Sequence, residues 1–223
     1  MSRTPSGFPG WYIDFQTALL KQAPRPEEIS QRKCKAWCDN QGGLKNVLRA
    51  ALCTELQSDC FELVKTVEII VPDNYDHTTQ LASFANENRG KFYGYDNAIT
   101  DENFGNATTK LAPGRKFAVK IFRQAIPRST TSEERMAFLR SQGVVFTGAQ
   151  GASLVFTQKR DELPKGFGYS SFDEKEALWT DSAGNHRVPC LYHSSDGDWY
   201  FRLGAFEGGW DGGHCLLCFC DLG

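Results

Sequence analysis

The sequence lacks the features that mark membrane, secreted and nucleic-acid-binding chains. No apolar run approaches the roughly 20 residues that cross a bilayer. The first residues, MSRTPSGFPGWYIDF, contain no apolar segment of the kind found in a secretory signal. The formal net charge is −2, so no excess of positive charge favours a nucleic acid or an anionic membrane as partner. We therefore expect a cytoplasmic protein without membrane or nucleic-acid partners.

The eight cysteines do not by themselves indicate disulfides. A chain of 223 residues can bury a core without covalent cross-links, and we see no export signal that would bring it to an oxidising compartment. We expect reduced thiols. Because 40% of the residues are hydrophobic and 23% charged, the composition favours a folded protein over a disordered one.

Residues 176–223 differ in composition from the rest of the chain. They contain two basic residues, Arg187 and Arg202, against seven acidic ones, and they have no Lys, Gln, Met or Ile. So sharp a change indicates a segment under different constraints from its neighbours.

Pattern and capping signals divide the chain into an N-terminal arm and helical region, residues 1–65, and an α+β region, residues 66–223. In the first region they predict a short helix at 15–21, a helix within the run PEEISQRKCKAW, and a helix over 44–64.

In the second region a β-branched run predicts a buried strand at 66–71, and further patterns predict strands at 116–123 and 144–148. Helices are predicted at 78–88, 134–142 and 149–163. The second of these follows a capping box at Thr131–Glu134 and ends at Gly143. After Gly168, short aromatic segments separated by turns predict more strands. We expect an α+β fold in which two helices pack beside a small, mainly antiparallel sheet.

Two chemical alternatives remain open for the C-terminal residues. Cys215, Cys218 and Cys220, with His214, Cys190 and His193 upstream, have the residue types of a zinc site, although a strand would place Cys215 on the face opposite Cys218 and Cys220. A Cys–His nucleophile could use Cys190 with His193, or Cys215 with His214. Other candidates for acid–base catalysis are Asp173, Glu174, Asp181 and His186. Packing in the core is the competing interpretation of these cysteines.

The glycine-rich run at 204–213 is not a phosphate-binding loop, because it lacks the G-x-x-x-x-G-K-[ST] pattern. It follows and contains aromatic residues, among them Tyr200, Phe206 and Trp210. Rigid aromatic anchors beside small residues are typical of a binding surface. A partly buried aromatic core would have the same composition, so the residues alone leave both interpretations open.

The order SFDEKEALWTDSAGNHRVP, then Gly208-Gly209-Trp210, then CLLCFCD resembles a variable protein of a diversity-generating retroelement. The resemblance covers roughly residues 110–223. It implies a C-type-lectin-like domain of the formylglycine-generating-enzyme type at about 112–223, with a variable segment at 190–214. It also implies a ligand-binding protein, not an enzyme, with no cofactor and with a protein surface as its partner. The ligand and the oligomeric state stay open. An enzyme on this fold that uses cysteine chemistry and a zinc-stabilised interaction module are the alternatives.

The resemblance further implies adenine-directed mutagenesis, in which AAC-type codons become NNC codons that never encode Lys, Glu, Gln, Met or Trp. Between Cys190 and His214 only Trp199, Glu207 and Trp210 fall outside that set, so we expect these three to be fixed scaffold. The permitted residues, which we expect to bind ligand, are Cys190, Tyr192, His193, Ser194, Ser195, Tyr200, Arg202, Gly204, Ala205, Gly208, Gly212, Gly213 and His214. Seven of them we expect to be largely exposed and clustered on one side of the domain: Tyr192, His193, Ser194, Tyr200, Arg202, Ala205 and His214. We expect Trp179, Trp210, Leu216 and Phe219 to lie in its core.

Overall fold

The computed structural model describes residues 14, 16–17, 20–21, 30–40 and 60–223. The chain divides into two compact units, residues 1–54 and 55–223. In the first unit, helix α1 (Gln31–Asp39) begins after Ser30, whose side chain accepts a hydrogen bond from the Lys33 backbone N–H. Residues 14, 16–17 and 20–21 are also helical. Most of the helix predicted over 44–64 lies outside the described residues.

The second unit alternates strands and helices along the chain. Its strands are β1 (Phe61–Ile70), β2 (Gly94–Tyr95), β3 (Lys116–Gln124), β4 (Phe167–Ser170), β5 (Trp179–Thr180), β6 (His186–His193), β7 (Trp199–Ala205) and β8 (His214–Asp221). Its helices are α2 (Gln80–Asn88), α3 (Asp101–Phe104), α4 (Ser132–Ser141) and α5 (Gly148–Lys159). The described residues contain no helix with the length and apolar character needed to cross a membrane.

The strands form one eight-stranded sheet in the order β1-β3-β8-β4-β6-β7-β2, with β5 paired to β6. Neighbouring strands are antiparallel except in the pairs β4–β8 and β2–β7, which are parallel. The fold is therefore mixed α+β, as expected. The sheet is larger than the small one that the sequence led us to expect.

Both faces of the sheet take part in packing, and β8 shows how. Along this strand Cys215, Leu217 and Phe219 belong to a first core, whereas Leu216 and Cys218 belong to a second. The alternation follows from the two-residue period of a strand. Helices α2 and α5 contribute to the first core and α4 contributes to the second. Because β8 is central and covered on both sides, CLLCFC is almost continuously apolar.

Several local predictions are confirmed. Strand β3 matches the segment predicted at 116–123. Helix α4 begins with a complete capping box: the Thr131 side chain accepts from the Glu134 N–H, and the Glu134 side chain accepts from the Thr131 N–H. Gly143 follows the helix with a positive φ of 70°. Trp210, Leu216 and Phe219 are buried, and Trp179 is partly buried against the first core.

Three local predictions are wrong. Phe61–Val64, which we expected at the end of a helix, form the start of β1: Phe61, Glu62 and Leu63 pair with β3, and Val64 lies at a register shift. Strand β1 is not buried on both sides, because it lies at the sheet edge and exposes Glu68 and Ile70. The segment 144–148 is not a strand; Val145 makes one backbone hydrogen bond to Phe219, and a helix begins at Gly148.

Candidate functional site

A single row of directly paired residues crosses five strands near the C-terminal segment. His214 of β8 lies opposite Gly168 of β4, which lies opposite Tyr192 of β6. Tyr192 lies opposite Tyr200 of β7, and Tyr200 opposite Gly94 of β2. Paired residues in neighbouring strands direct their side chains to the same face. The pairing thus brings residues from four separate parts of the sequence, Gly94, Gly168, the β6–β7 hairpin and His214, to one surface.

The two glycines in this row provide space for the rings beside them. A Cβ at Gly168 would lie 2.9 Å from His214 Cδ2, and a Cβ at Gly94 would lie 2.9 Å from Tyr200 Cδ1. Contacts that short essentially do not occur, so each ring leans over bare backbone. The mixture of glycine and aromatic residues in the sequence therefore has a packing cause at these positions.

A second row runs parallel to the first. Cys190 of β6 lies between Ser170 of β4 and Arg202 of β7. Below the two rows lies a half-open pocket of about 270 Å³, which we call the face pocket. It is lined by Gly168, Cys190, Tyr192, Arg202, Leu203, Gly204 and His214.

Aromatic side chains continue from the face pocket across the sheet. The Tyr192 and Tyr200 ring centroids are 5.8 Å apart, and Tyr200 and Tyr93 are 5.4 Å apart. The Tyr93 side chain is 77% exposed, and the Arg202 guanidinium lies 4.1 Å from the Tyr200 ring centroid. We call the surface formed by Tyr93, Gly94, Gly168, Tyr192, Tyr200, Arg202, Gly204 and His214 the open face.

The loop before β8 closes one side of the open face. His214 Nδ1 lies 2.9 Å from Asp211 Oδ1, and this hydrogen bond lowers the pKa of the Asp211 carboxyl. Behind the loop, the fully buried Arg135 of α4 donates to the carbonyl oxygens of His214 (2.9 Å) and Asp211 (3.1 Å). Its other donors reach Thr130 Oγ1 and Gln124 Oε1. Arg135 thereby fixes the backbone from which His214 projects.

Burial lowers the pKa of Arg135 to about 10, since desolvation disfavours its charged form. Among the described residues no carboxylate forms an ion pair with it; carbonyl, amide and hydroxyl oxygens hold the guanidinium instead. The guanidinium also lies 5.4 Å from the Trp210 ring centroid. The four acceptors of the buried Arg135 guanidinium thus hold the backbone at Asp211 and His214 in a fixed position.

The three residues that the mutagenesis rule excludes have anchoring contacts. Trp210 is buried, and its Nε1 donates to Ser132 Oγ at 2.7 Å. Trp199 is buried in the first core, with its ring 5.2 Å from that of Phe156. Glu207 is exposed, but its carboxylate pairs with His186 and Lys175. Burial alone would raise the pKa of Glu207; the hydrogen bonds from His186 and Lys175 and from backbone N–H groups outweigh it and lower that pKa to about 2.

The structure distributes the candidate ligand-binding residues over three locations. Six line the open face or the floor of its pocket: Cys190, Tyr192, Tyr200, Arg202, Gly204 and His214. Five lie in turns and loops between the strands: Ser194, Ser195, Gly208, Gly212 and Gly213. By strand alternation the remaining two, His193 and Ala205, fall on the side of the sheet occupied by Phe201 and Leu203.

The expectation that seven of these side chains are exposed on one side is therefore wrong at His193, which is buried, and at Ala205, which lies on the other side of the sheet. Of the other five, Arg202 is exposed, and Tyr192, Ser194, Tyr200 and His214 are partly exposed. His193 is 7% exposed; its ring stacks on Trp199 at 4.1 Å, and Nδ1 lies 3.2 Å from the Leu163 carbonyl oxygen. Cys190 is 6% exposed, although it forms the pocket floor. The physical reason at His193 is the period of a strand, which places Tyr192 and His193 on opposite faces.

The structure does not bring Cys190 and His193 together as a nucleophile and base, because they lie on opposite faces of β6. Burial raises the pKa of Cys190 to about 11 and those of Cys215 and Cys218 to about 12. These thiols are therefore protonated at neutral pH, whereas the thiolate is the reactive form. Within the described residues no group of three or more His, Cys, Asp and Glu side chains is placed to hold a metal ion.

The other candidate catalytic residues are dispersed, and each has a separate partner. Asp173 is buried, which raises its pKa, and it accepts from the backbone N–H groups of Thr108 and Glu174. The remaining three form ion pairs or hydrogen bonds in separate places: Glu174 with Arg140, Asp181 with Arg187, and His186 with Glu207. Tyr93 is the residue that sequence reasoning missed. It reaches the open face through the pairing of β2 with β7, for which the sequence offered no signal.

Comparison with protein-family models, with curated proteins and with solved structures gave no match to this chain.

Proposed function

We propose that this protein is a ligand-binding protein that presents the open face as a diversified surface, as in the variable proteins of diversity-generating retroelements. The proposal includes a C-type-lectin-like fold for residues 112–223 and a protein surface as the ligand. The resemblance of SFDEKEALW and CLLCFCD to that family motivates it.

One observation carries the proposal: fixed and changeable residues of the segment 190–214 lie in different places. Of the three residues that adenine-directed mutagenesis cannot produce, Trp199 and Trp210 are buried in the cores, and Glu207 pairs with His186 and Lys175. Side chains that it can produce, including Tyr192, Tyr200 and Arg202, lie on the open face. Cys190, His193 and Ala205 are exceptions, and Gly204 is a fourth because a Cβ there would meet the Trp210 ring. We therefore reduce the proposed variable set to Tyr192, Tyr200, Arg202 and His214 and the loops at the margin of the open face.

The shape of the open face favours a protein ligand. The face pocket, at about 270 Å³, is slightly smaller than the roughly 300–1,000 Å³ pockets that enclose small molecules. It continues into a band of tyrosines with Arg202. Tyr and Arg are enriched among the residues that dominate binding energy at protein interfaces, and tyrosine offers a large contact area at a small cost in conformational entropy.

Two libraries test the proposal. The first randomises Tyr192, Tyr200, Arg202 and His214 to NNC-encoded residues. The second randomises four residues of β6 and β7 that face the core: Leu191, His193, Trp199 and Phe201. We expect most members of the first library to be soluble and to melt near the parent temperature. Arg202 is exposed and the other three side chains are partly exposed, and surface substitutions usually cost within about 0.5 kcal/mol. Most members of the second should aggregate, because cavities and overpacking there each cost several kcal/mol.

Equal losses of folded protein in the two libraries would show that the open face is structural and would contradict the proposal. The surrounding DNA provides a separate test. We expect a reverse transcriptase gene and a near-copy of the coding stretch for residues 190–220 with adenines at the codons of Tyr192, Tyr200, Arg202 and His214. A coding stretch whose open-face codons do not match the NNC form would count against diversification, though not against ligand binding.

A further inference from the structure

We infer that the ligand of this chain is a protein segment in which an aromatic or aliphatic side chain stands next to a carboxylate. The apolar side chain would enter the face pocket, and the carboxylate would pair with Arg202. This inference rests on the proposed binding function and adds the chemistry of the partner.

Residues 176–223 are acidic, with seven Asp and Glu against two Arg. Four of the seven acidic residues already have partners in the fold: Asp181 with Arg187, Glu207 with Lys175 and His186, Asp211 with His214, and Asp221 with Arg115. The other basic residue of the segment, Arg202, forms no ion pair with any described residue. The charge of Arg202 is thus available at the surface, whereas four of the seven acidic side chains of the segment already have a basic partner.

The position of Arg202 prepares its guanidinium for a planar anion. The group lies 4.1 Å from the Tyr200 ring centroid, so stacking restricts its motion. Asp96 directly follows β2, the strand beside Arg202. Its carboxylate accepts a hydrogen bond from the Ala98 backbone N–H at 2.9 Å and forms no ion pair with Arg202. The N–H donors of Arg202 therefore have no described protein acceptor, and a guanidinium matches a carboxylate with two parallel hydrogen bonds.

The lining of the face pocket favours an apolar side chain beside that carboxylate. Its floor consists of the protonated Cys190 thiol and the backbone of Gly168 and Gly204, none of which carries a charge. The Tyr192 and His214 rings form its walls. Arg202 also lines the pocket. A charged group that enters away from Arg202 would lose hydration without gaining a partner, whereas an aromatic or aliphatic group there would lose only unfavourable contact with water.

The test uses the full chain as bait and a library of disulfide-closed peptides displayed on phage as probe. Selections are run in parallel on the parent, on Arg202→Met and on Arg89→Met. The last is a matched control, since Arg89 is also an exposed arginine over a tyrosine, 5.3 Å from the Tyr95 ring centroid, but lies outside the face pocket. We expect the parent and Arg89→Met to enrich peptides with Asp or Glu within two residues of an aromatic or aliphatic residue.

Arg202→Met should lose that enrichment, and the selected peptides should bind it about tenfold or more weakly, as expected for the loss of a hydrogen bond between charged groups. Raising the salt concentration should weaken binding to the parent more than to Arg202→Met.

Peptides that require Tyr192 and Tyr200 but show no acidic enrichment and no loss with Arg202→Met would overturn this inference and leave the proposed binding face standing. Peptides that no open-face substitution affects, or a selection that yields no binder, would count against both.

Discussion

The Trp210 ring lies directly against the backbone of Gly204. A Cβ at position 204 would be 2.6 Å from Trp210 Cη2 and 3.1 Å from Cζ3. Glycine at 204 is therefore needed for close approach, because no larger residue fits without moving the ring. The ring in turn closes the second core beneath the loop that carries His214.

Gly204→Ala should destabilise the domain by about 1–3 kcal/mol, as overpacking in a core does. Gly212→Ala is the matched control, since nothing lies within 4 Å of a Cβ there. Chemical unfolding of both variants measures the difference. Equal midpoints for the two would mean that Trp210 adjusts at no cost.

Trp210→Ala should cost roughly 3–5 kcal/mol, because it leaves a cavity in the second core. The Ser132 hydroxyl would also lose its indole donor, although it still donates to the Phe206 carbonyl oxygen at 2.6 Å. Trp210→Phe keeps most of the ring and should cost less than half as much. Thermal melting distinguishes these outcomes, and an unchanged melting temperature in Trp210→Ala would show that the indole is not a core element.

Arg135→Met should lower the free energy of unfolding by about 3–5 kcal/mol, since it breaks a buried hydrogen-bonded network. The carbonyl oxygens of Asp211 and His214 would each lose a donor. Arg135→Lys should recover little, because an ammonium group cannot reach acceptors spread around a planar guanidinium. Denaturant titration with an unchanged midpoint for Arg135→Met would contradict the anchoring role.

The ion pairs of Glu207 should make a small, pH-dependent contribution. The pKa of Glu207 is lowered in the fold from 4.5 to about 2, so its contribution is present above pH 4.5 and is lost as the pH falls towards 2. Because the carboxylate is exposed, we expect about 0.5–1 kcal/mol at most. Melting of the parent and Glu207→Gln across this range should show a difference at pH 6 that disappears near pH 2. A difference that persists at the lowest pH would have another origin.

Thiol labelling should separate the cysteines by burial. Cys34 and Cys38 are exposed, whereas Cys190, Cys215 and Cys218 are buried with raised pKa values. With iodoacetamide at pH 7.5, the first two should be modified quickly, and the buried three only after unfolding. Peptide mass spectrometry identifies each site. Rapid modification of Cys190 in the folded protein would require a thiolate in the face pocket and would revive the cysteine-chemistry alternative.

Local signals in the sequence predicted the elements that local interactions determine. The capping box at Thr131 specifies the start of α4 by itself, because both of its hydrogen bonds join residues three apart. The apolar spacing before Val64 predicted a helix, but pairing with β3 overrides that local preference at Phe61–Val64.

The candidate site could be predicted only in part from the sequence, because it depends on long-range strand pairing as well as on alternation within a strand. The two-residue period of β6 already implied that Tyr192 and His193 cannot both face solvent. The contribution of Tyr93 could not be predicted, since it depends on a parallel pairing between residues about 106 positions apart along the chain. The neighbours of Tyr93 follow from the assembled sheet and not from a local sequence pattern.

The five-strand row from His214 to Gly94 has a consequence for how new binding specificities arise. Backbone ladders, not side chains, fix where each position of the row stands: about 4.8 Å from its neighbour across strands and about 6.7 Å from the next outward position along a strand. On the open face, the sheet backbone therefore fixes the position of a substituted side chain before that side chain contacts a ligand. A change at Tyr192, Tyr200 or His214 alters the chemistry at that position and leaves the backbone spacing of the others unchanged, whereas Gly94 and Gly168 stay fixed because a Cβ there would meet the neighbouring ring.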